Sequence, residues 1–128
     1  MKKLTTVLLL LPLITLAQKP FKKVPEELHS CWSLSFEEDS KDGKDRKFRN
    51  CTYTFPTSRF RPSVEIMKDG KCKLNHLGAT DILTMEDATW TWDKKKKRVI
   101  VINKDKITEM KFRIISISKE EMKVKWEL

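Results

Sequence analysis

Few residues of this chain have the types and spacing that catalysis requires. Hydrolysis by a serine, a histidine and an acid needs all three within hydrogen-bond reach, and only His29 and His76 are available. His29 directly precedes a predicted strand in ELHSCW and His76 ends another in LNHLGATD, so both are interpreted as surface histidines. A glycosidase needs two carboxylates that face one cleft, whereas Asp81, Glu86 and Asp87 share one predicted loop. The sequence therefore predicts no catalytic residues and no enzyme.

Three cysteines, Cys31, Cys51 and Cys72, permit one disulfide. Three single-bridge pairings are open, and sequence alone does not choose among them. We favour Cys51 with Cys72, because that bridge would close the loop TFPTSRFRPS, whose prolines and arginines have little else to hold them. Cys72 lies four residues before His76, but the sequence has no paired CxxC or HxxxH ligand motif. We expect neither a metal nor a cofactor.

Positive charge is prominent in the composition, with 27 lysines and arginines against 18 acidic residues. A basic field attracts anionic partners, and two segments concentrate it, SRFRPS and WDKKKKRVIVI. The lysine run also falls where two predicted strands must be joined, and charged side chains there keep the tip from pairing with another molecule. A turn is therefore the first interpretation, and anion binding is the alternative. The residues it would use are Arg59, Arg61, Lys94, Lys95, Lys96, Lys97 and Arg98.

The first 17 residues, MKKLTTVLLLLPLITLA, have the basic start, apolar centre and small-residue end of a cleaved signal peptide. The apolar stretch is shorter than the roughly 20 residues of a spanning helix, and Gln18 stands where a lipoprotein would carry its cysteine. Cleavage removes two lysines and lowers the formal charge from +9 by two, to +7. We expect an exported protein, periplasmic or extracellular, with no stable membrane insertion and no nucleic-acid partner. Residues 18–29 are a lead-in to one domain over residues 30–128.

Alternation of apolar and polar residues dominates the chain beyond the lead-in and predicts strands. CWSLSFEE and FRNCTYTF form a first predicted hairpin, with Cys51, Tyr53 and Phe55 on one face of the second strand. The Asp-Gly pair in SVEIMKDGKCKLNH is a strong hairpin signal, and ATWTWD, RVIVIN, MKFRIISI and EMKVKWEL follow in meander order. Residues 77–87 show no clear period. About eight antiparallel strands with short connections predict an all-β, up-and-down meander barrel, with a β-sandwich as the competitor.

These segments resemble the small exported lipocalin-like proteins of bacteria. The resemblance rests on CWSLSF, VEIMKDGKCKLN, ATWTWD, RVIVI and KFRIISISKEEMKVKW, and it spans roughly residues 30–128. Ser30-Cys31-Trp32 stands where lipocalins typically carry Gly-x-Trp, and Leu128 follows the last strand without the helix of the larger members. The resemblance implies a barrel with one open mouth for a small apolar molecule. It also implies an arginine over the first-strand tryptophan, a role for which Arg113 is the only arginine in the last two strands.

Aromatic residues provide the leading functional hypothesis. Most of them must fill the barrel, because an eight-stranded barrel is just wide enough for side chains or for one ligand. If a cavity remains, we expect Trp32, Trp90 and Trp126 to line its base and to bind the ligand. The sequence thus predicts an exported, non-enzymatic barrel that binds a small apolar or amphipathic ligand in the cell envelope. The alternative is a small basic protein whose loops bind an anionic envelope component or a protein partner.

Overall fold

The computed structural model describes residues 23–77 and 82–128, so the predicted signal peptide lies outside the described residues. Within them, single-turn 3-10 helices span Glu26–Leu28 and Phe36–Glu38, and a third short segment, Lys68–Gly70, has a 3-10 hydrogen-bond pattern but non-helical dihedral angles at Asp69. The remaining regular structure is β-strand. The strands are β1 Cys31–Leu34, β2 Asp45–Asn50, β3 Ser63–Ile66, β4 Lys71–Leu77, β5 Leu83–Asp93, β6 Arg98–Asn103, β7 Thr108–Ile117 and β8 Glu121–Trp126.

All eight strands form one closed antiparallel barrel, which confirms the predicted all-β, eight-stranded, up-and-down architecture. From β3 to β8 each strand pairs with the next along the chain, and β2 closes the ring against β8. The spatial order departs from the chain order at one place, where β1 lies between β2 and β3. Because β1 is antiparallel to both, β2 and β3 run in the same direction. Residues 51–62 must therefore cross from one end of the barrel to the other.

The period of two in the sequence places one face of each strand inside the barrel. On β6, Val99 and Val101 are buried while their neighbours along the strand are half-buried, and on β8 the buried positions are Met122 and Val124. Buried apolar area contributes about 25 cal/mol per Å² to stability. The largest fully buried side chains, Trp32, Phe48 and Phe112, lie in one cluster with these residues.

Two predicted turns are confirmed. Asp69 and Gly70 both adopt positive φ, 70° and 72°, as the Asp-Gly signal for a tight hairpin predicts. Residues 94–97 form the turn between β5 and β6, where Lys97 has a φ of 55° and Asp93 Oδ1 accepts a backbone N–H of the turn at 3.0 Å. The lysine run is thus an exposed turn, in agreement with the first interpretation.

Residues before β1 close one end of the barrel. Leu28, in the first 3-10 helix, is fully buried, and Val24 packs against the same core. The indole Nε1 of Trp32 donates to the Leu28 carbonyl at 3.0 Å, which satisfies a donor that would otherwise be costly to bury. The described part of the predicted lead-in, residues 18–29, therefore packs against the core rather than merely preceding the domain.

The disulfide joins Cys31, at the start of β1, to Cys51, directly after β2, so the predicted Cys51–Cys72 bridge is wrong. Cys72 lies on β4 with its side chain inside the barrel, only 1% exposed. Burial raises the pKa of the Cys72 thiol to about 11. The thiol therefore stays protonated at neutral pH and is a poor nucleophile.

The predicted strand FRNCTYTF is correct only in its first half, because β2 ends before Cys51 and residues 51–62 cross over β1. Ser33 faces outward from β1, and its Oγ lies 3.4 Å from the Cys51 sulfur at one end of the crossover. At the other end, the Leu34 N–H donates to the Pro62 carbonyl at 2.8 Å. The crossover thus covers the outward face of β1 and leaves Ser33 only 7% exposed.

Arg61 holds the crossover against the barrel. Its guanidinium makes two contacts of 2.7 Å with the Glu37 carboxylate and donates to the Pro56 carbonyl at 3.0 Å. It also lies against the rings of Phe36 and Phe55, at 4.5 and 4.4 Å from their centroids. Bidentate arginine–carboxylate pairs and cation–π contacts are among the stronger polar interactions in proteins. These contacts supply the anchoring that the sequence argument assigned to a disulfide.

A second ion pair makes the stability depend on pH. The Glu38 carboxylate accepts hydrogen bonds from Arg49, at 2.6 and 2.8 Å, and from Ser35 at 2.7 Å. The Arg49 hydrogen bonds are the main cause that lowers the pKa of Glu38 from 4.5 to about 2. Because the folded-state pKa is below the unfolded one, the stabilisation is fully present above pH 4.5 and is lost as the pH falls towards 2.

We predict that Glu38→Gln flattens the dependence of the unfolding free energy on pH over this window. Urea unfolding at a series of pH values measures it. The control is Glu65→Gln, which removes an exposed carboxylate from the outer face of β3. A Glu38→Gln profile parallel to that of the unmodified protein would show that the Arg49 hydrogen bonds do not set the acid sensitivity.

Candidate functional site: a cavity at the open end of the barrel

The inward faces of several strands change from apolar to polar towards the end opposite Leu28. On β5, for example, Trp90 and Ala88 are buried in the core, and Glu86, the next inward position, reaches the mouth. The alternation that builds the core thus also delivers polar groups to the open end. The inward polar residues are Arg46 on β2, His76 on β4, Glu86 on β5 and Asn103 on β6.

A cavity of about 340 Å³ opens between these strand ends. One side is formed by Phe60 and Pro62, which the crossover brings to the mouth. The crossover is therefore part of the site as well as a cover for β1. The apolar lining from the strands consists of Leu34, Leu74, Met110 and Trp126.

Trp126 separates the cavity from the packed core. Its ring stacks on Phe112, with centroids 6.0 Å apart and an interplanar angle of 12°. From the mouth side, the Arg46 guanidinium lies 4.6 Å from the centroid of the Trp126 ring. Arg46 is also 3.5 Å from Asp39. The cation is therefore held over the indole face, the arrangement that cation–π attraction favours.

Two amide side chains fix the rim. Asn103 donates to Glu109 Oε1 at 2.7 Å, and its own oxygen accepts the Ile107 N–H at 3.0 Å, which orders the turn between β6 and β7. Asn75 donates to the Arg61 carbonyl at 2.6 Å and so ties β4 to the crossover. The polar part of the mouth is therefore arranged before any ligand arrives, which reduces the entropy cost of binding.

A second and more open cavity, of about 590 Å³, adjoins the first and shares His76, Glu86 and Glu109 with it. It extends along the part of β5 that is nearest the mouth, where Asp87 contributes to the lining. Glu86 and Asp87 therefore lie on a strand at the mouth, so the prediction that they lie in a loop is wrong, although Asp87 is exposed. Asp81, the third member of that set, lies outside the described residues.

The three tryptophans predicted to line a cavity base lie at different levels of the barrel. Trp126 lines the cavity. Trp32 is fully buried beside Leu28, and Trp90 is 7% exposed and donates to the Met67 carbonyl at 2.8 Å, also at the closed end. The structure thus brings only Trp126 to the mouth, because strand direction decides the end at which an inward residue lies.

The arginine that the family resemblance would place over the first-strand tryptophan is not Arg113. Arg113 faces outward from β7 and is exposed. The arginine–tryptophan contact that exists at the mouth joins Arg46 and Trp126, on β2 and β8. Sequence reasoning had no access to this pair, since the strands become neighbours only when the barrel closes.

The predicted anion-binding residues do not form one site. Arg61 is engaged by Glu37 and the crossover, and Arg98 lies 2.6 Å from the Glu127 carboxylate and 4.0 Å from that of Asp93. Arg59 is exposed in the crossover. The remaining members, Lys94, Lys95, Lys96 and Lys97, are exposed in the turn at the closed end.

Over the described parts of the chain, no group of three or more histidine, cysteine or acidic side chains is placed to hold a metal ion. Within the same residues, no helix is long and apolar enough to cross a membrane. Comparison of the chain with protein-family models, with curated proteins and with solved structures finds no significant match in any of the three.

Proposed function

We propose that this protein is an exported, non-enzymatic, lipocalin-like barrel of the cell envelope that binds a small apolar or amphipathic ligand in the open-end cavity. The observation that carries the proposal is a one-ended cavity, with an apolar floor at Trp126 and a polar rim that includes Glu109 and His76. Its volume of about 340 Å³ lies at the lower end of the usual range for small-molecule sites. This combination favours an amphipathic molecule with its apolar part on the floor.

Two further features support export and a binding role. The disulfide between Cys31 and Cys51 is typical of oxidising compartments outside the cytosol. The rim groups Asn75, Asn103 and Glu109 are already hydrogen-bonded within the protein, as expected of a preformed binding site. The anion-binding loops of the alternative hypothesis gain less support, because Arg61 and Arg98 are engaged in ion pairs with carboxylates of the same protein.

We predict saturable binding of an apolar fluorescent probe, N-phenyl-1-naphthylamine, at one site per chain, with increased emission on transfer from water to the cavity. Leu74→Trp places an indole in the cavity and should weaken binding on the order of tenfold or more, since the probe loses its contacts with the floor. The matched control is Ile115→Trp on the outer wall, where the original side chain is 52% exposed. Equal probe binding by both variants would contradict the cavity as the site.

A further inference from the structure

The outer wall formed by β7 and β8 carries a cluster of cations that the cavity does not use. Arg113 faces outward on β7, Lys123 and Lys125 face outward on β8, and all three are at least partly exposed. The residue that precedes each of them along its strand faces the other way, into the barrel, and is a buried core residue. The cluster is therefore fixed on a rigid sheet, unlike the lysines of the turn at residues 94–97.

The strand register places like charges directly opposite one another. Arg113 pairs with Arg98 on one side and with Lys125 on the other, and Lys123 pairs with Lys47 on β2. Neighbouring strands are about 4.8 Å apart, and like charges directly opposite are destabilising. The wall therefore keeps three unfavourable juxtapositions that the fold alone does not require.

Carboxylates lie mainly at the edges of this wall, and within it Asp45 on β2 is the cross-strand neighbour of Lys125. Arg98 is paired with Glu127, and Lys47 lies 3.5 Å from both Glu38 and Glu121. We call the three remaining residues, Arg113, Lys123 and Lys125, the wall cations. In the described part of the chain, no carboxylate lies within 4.0 Å of their charged groups.

Two neighbouring features extend the wall cations into a larger surface. The Ile114 N–H donates to the Lys97 carbonyl at 2.9 Å, so the exposed lysine turn folds against the same strand. Ile115, between the turn and β8, is 52% exposed, and Ile100 lies half-buried on the outer face of β6, opposite Lys111. The surface thus combines clustered positive charge with isolated aliphatic side chains on a broad sheet face.

We propose that this wall docks the protein on an anionic lipid bilayer. The negative potential of such a surface attracts cations, and each lysine or arginine near it increases partitioning onto the bilayer roughly fivefold. Exposed aliphatic side chains enter the interfacial region. Cations on neighbouring strands of one sheet face can contact several lipid phosphates at once, and the cavities described above lie at the open end of the barrel. The proposal is independent of the cavity ligand and of the proposed function.

Vesicle co-sedimentation tests the proposal with the full protein. Vesicles of phosphatidylglycerol mixed with phosphatidylcholine should bind it, whereas pure phosphatidylcholine vesicles should not. Binding should fall steeply when the salt concentration is raised from roughly 0.05 to 0.5 M, because the screening length shortens. A protein that binds both vesicle types equally, or neither, overturns the proposal.

Two triple variants, each of which removes three positive charges, distinguish an effect of the wall cations from an effect of net charge. R113Q/K123Q/K125Q should lower partitioning on the order of 100-fold, and it should not lower the melting temperature, since it removes like-charge contacts. K68Q/K71Q/K73Q alters exposed lysines on the opposite side of the barrel and should bind nearly as well as the unmodified protein. Equal losses in the two variants, or binding to soluble polyphosphate without binding to anionic vesicles, overturn the assignment to a lipid surface.

Discussion

Trp32→Ala is expected to lower the free energy of unfolding by about 3 to 5 kcal/mol, the range for truncating a fully buried tryptophan. Trp32 has no exposed surface and lies between the first 3-10 helix and the barrel core. The substitution removes the indole and also leaves the Leu28 carbonyl without its 3.0 Å donor. Both losses act at the closed end, where Trp32 and Leu28 have no exposed surface.

Urea unfolding followed by far-ultraviolet circular dichroism measures this loss without relying on tryptophan emission. Trp126→Ala is the matched control, because the Trp126 side chain borders the cavity and is only partly buried. The control should cost clearly less than Trp32→Ala. An effect of Trp32→Ala below about 1 kcal/mol would contradict the role of this residue as the centre of a packed core.

Replacing both Cys31 and Cys51 with serine is expected to lower the free energy of unfolding by about 3 kcal/mol. Their separation of 20 residues corresponds to that loss in the chain-entropy model, in which a disulfide restricts the unfolded state. The bridge also fastens the start of the crossover to β1. The double variant should therefore loosen the crossover, including Phe60 and Pro62 at the cavity.

Unfolding with and without reductant measures the contribution of the disulfide. The unmodified protein and a Cys72→Ala control should both lose stability on reduction, whereas the Cys31→Ser, Cys51→Ser double variant should not respond. Peptide mapping without reduction should recover the segment of Cys31 linked to that of Cys51. Recovery of a peptide linked through Cys72 would contradict the connectivity.

The sequence predicted the barrel because strand period is a local property. β5 and β8 alternate strongly enough to define their inward faces, β6 is an apolar run on both faces, and the Asp69-Gly70 pair specifies its own turn. Short connections then favour pairing between consecutive strands. No local pattern in the sequence indicated that β1 would lie between β2 and β3, since that arrangement depends on the crossover.

The errors at the crossover have one physical cause. Cys51, Tyr53 and Phe55 alternate just as a strand does, yet the chain leaves the sheet there because Arg61 makes contacts with distant residues. A pattern of apolar residues cannot distinguish packing on the outside of β1 from packing inside the barrel. The choice of Cys51–Cys72 assumed that little else holds the loop TFPTSRFRPS, whereas Arg61 anchors it through contacts with Glu37 and Pro56.

The polar residues of the mouth were missed, although part of their signal was present in the sequence. Extending the inward period of β4 beyond Leu74 leads to His76, and extending that of β5 from Trp90 back through Ala88 leads to Glu86. Residues that continue an apolar face with polar side chains mark the open end of a barrel. Their meeting with Glu109 and Arg46 depends on barrel closure and could not be predicted from spacing.

The central claim, a ligand in the open-end cavity, is tested most directly by native mass spectrometry of the protein produced in an export-competent host and purified without reductant. We predict a discrete added mass that solvent extraction releases, and its loss from the Leu74→Trp variant but not from Ile115→Trp. A protein that carries only the mass of its chain, two hydrogens short for the Cys31–Cys51 bridge, and that takes up no amphipathic molecule on incubation would contradict the claim.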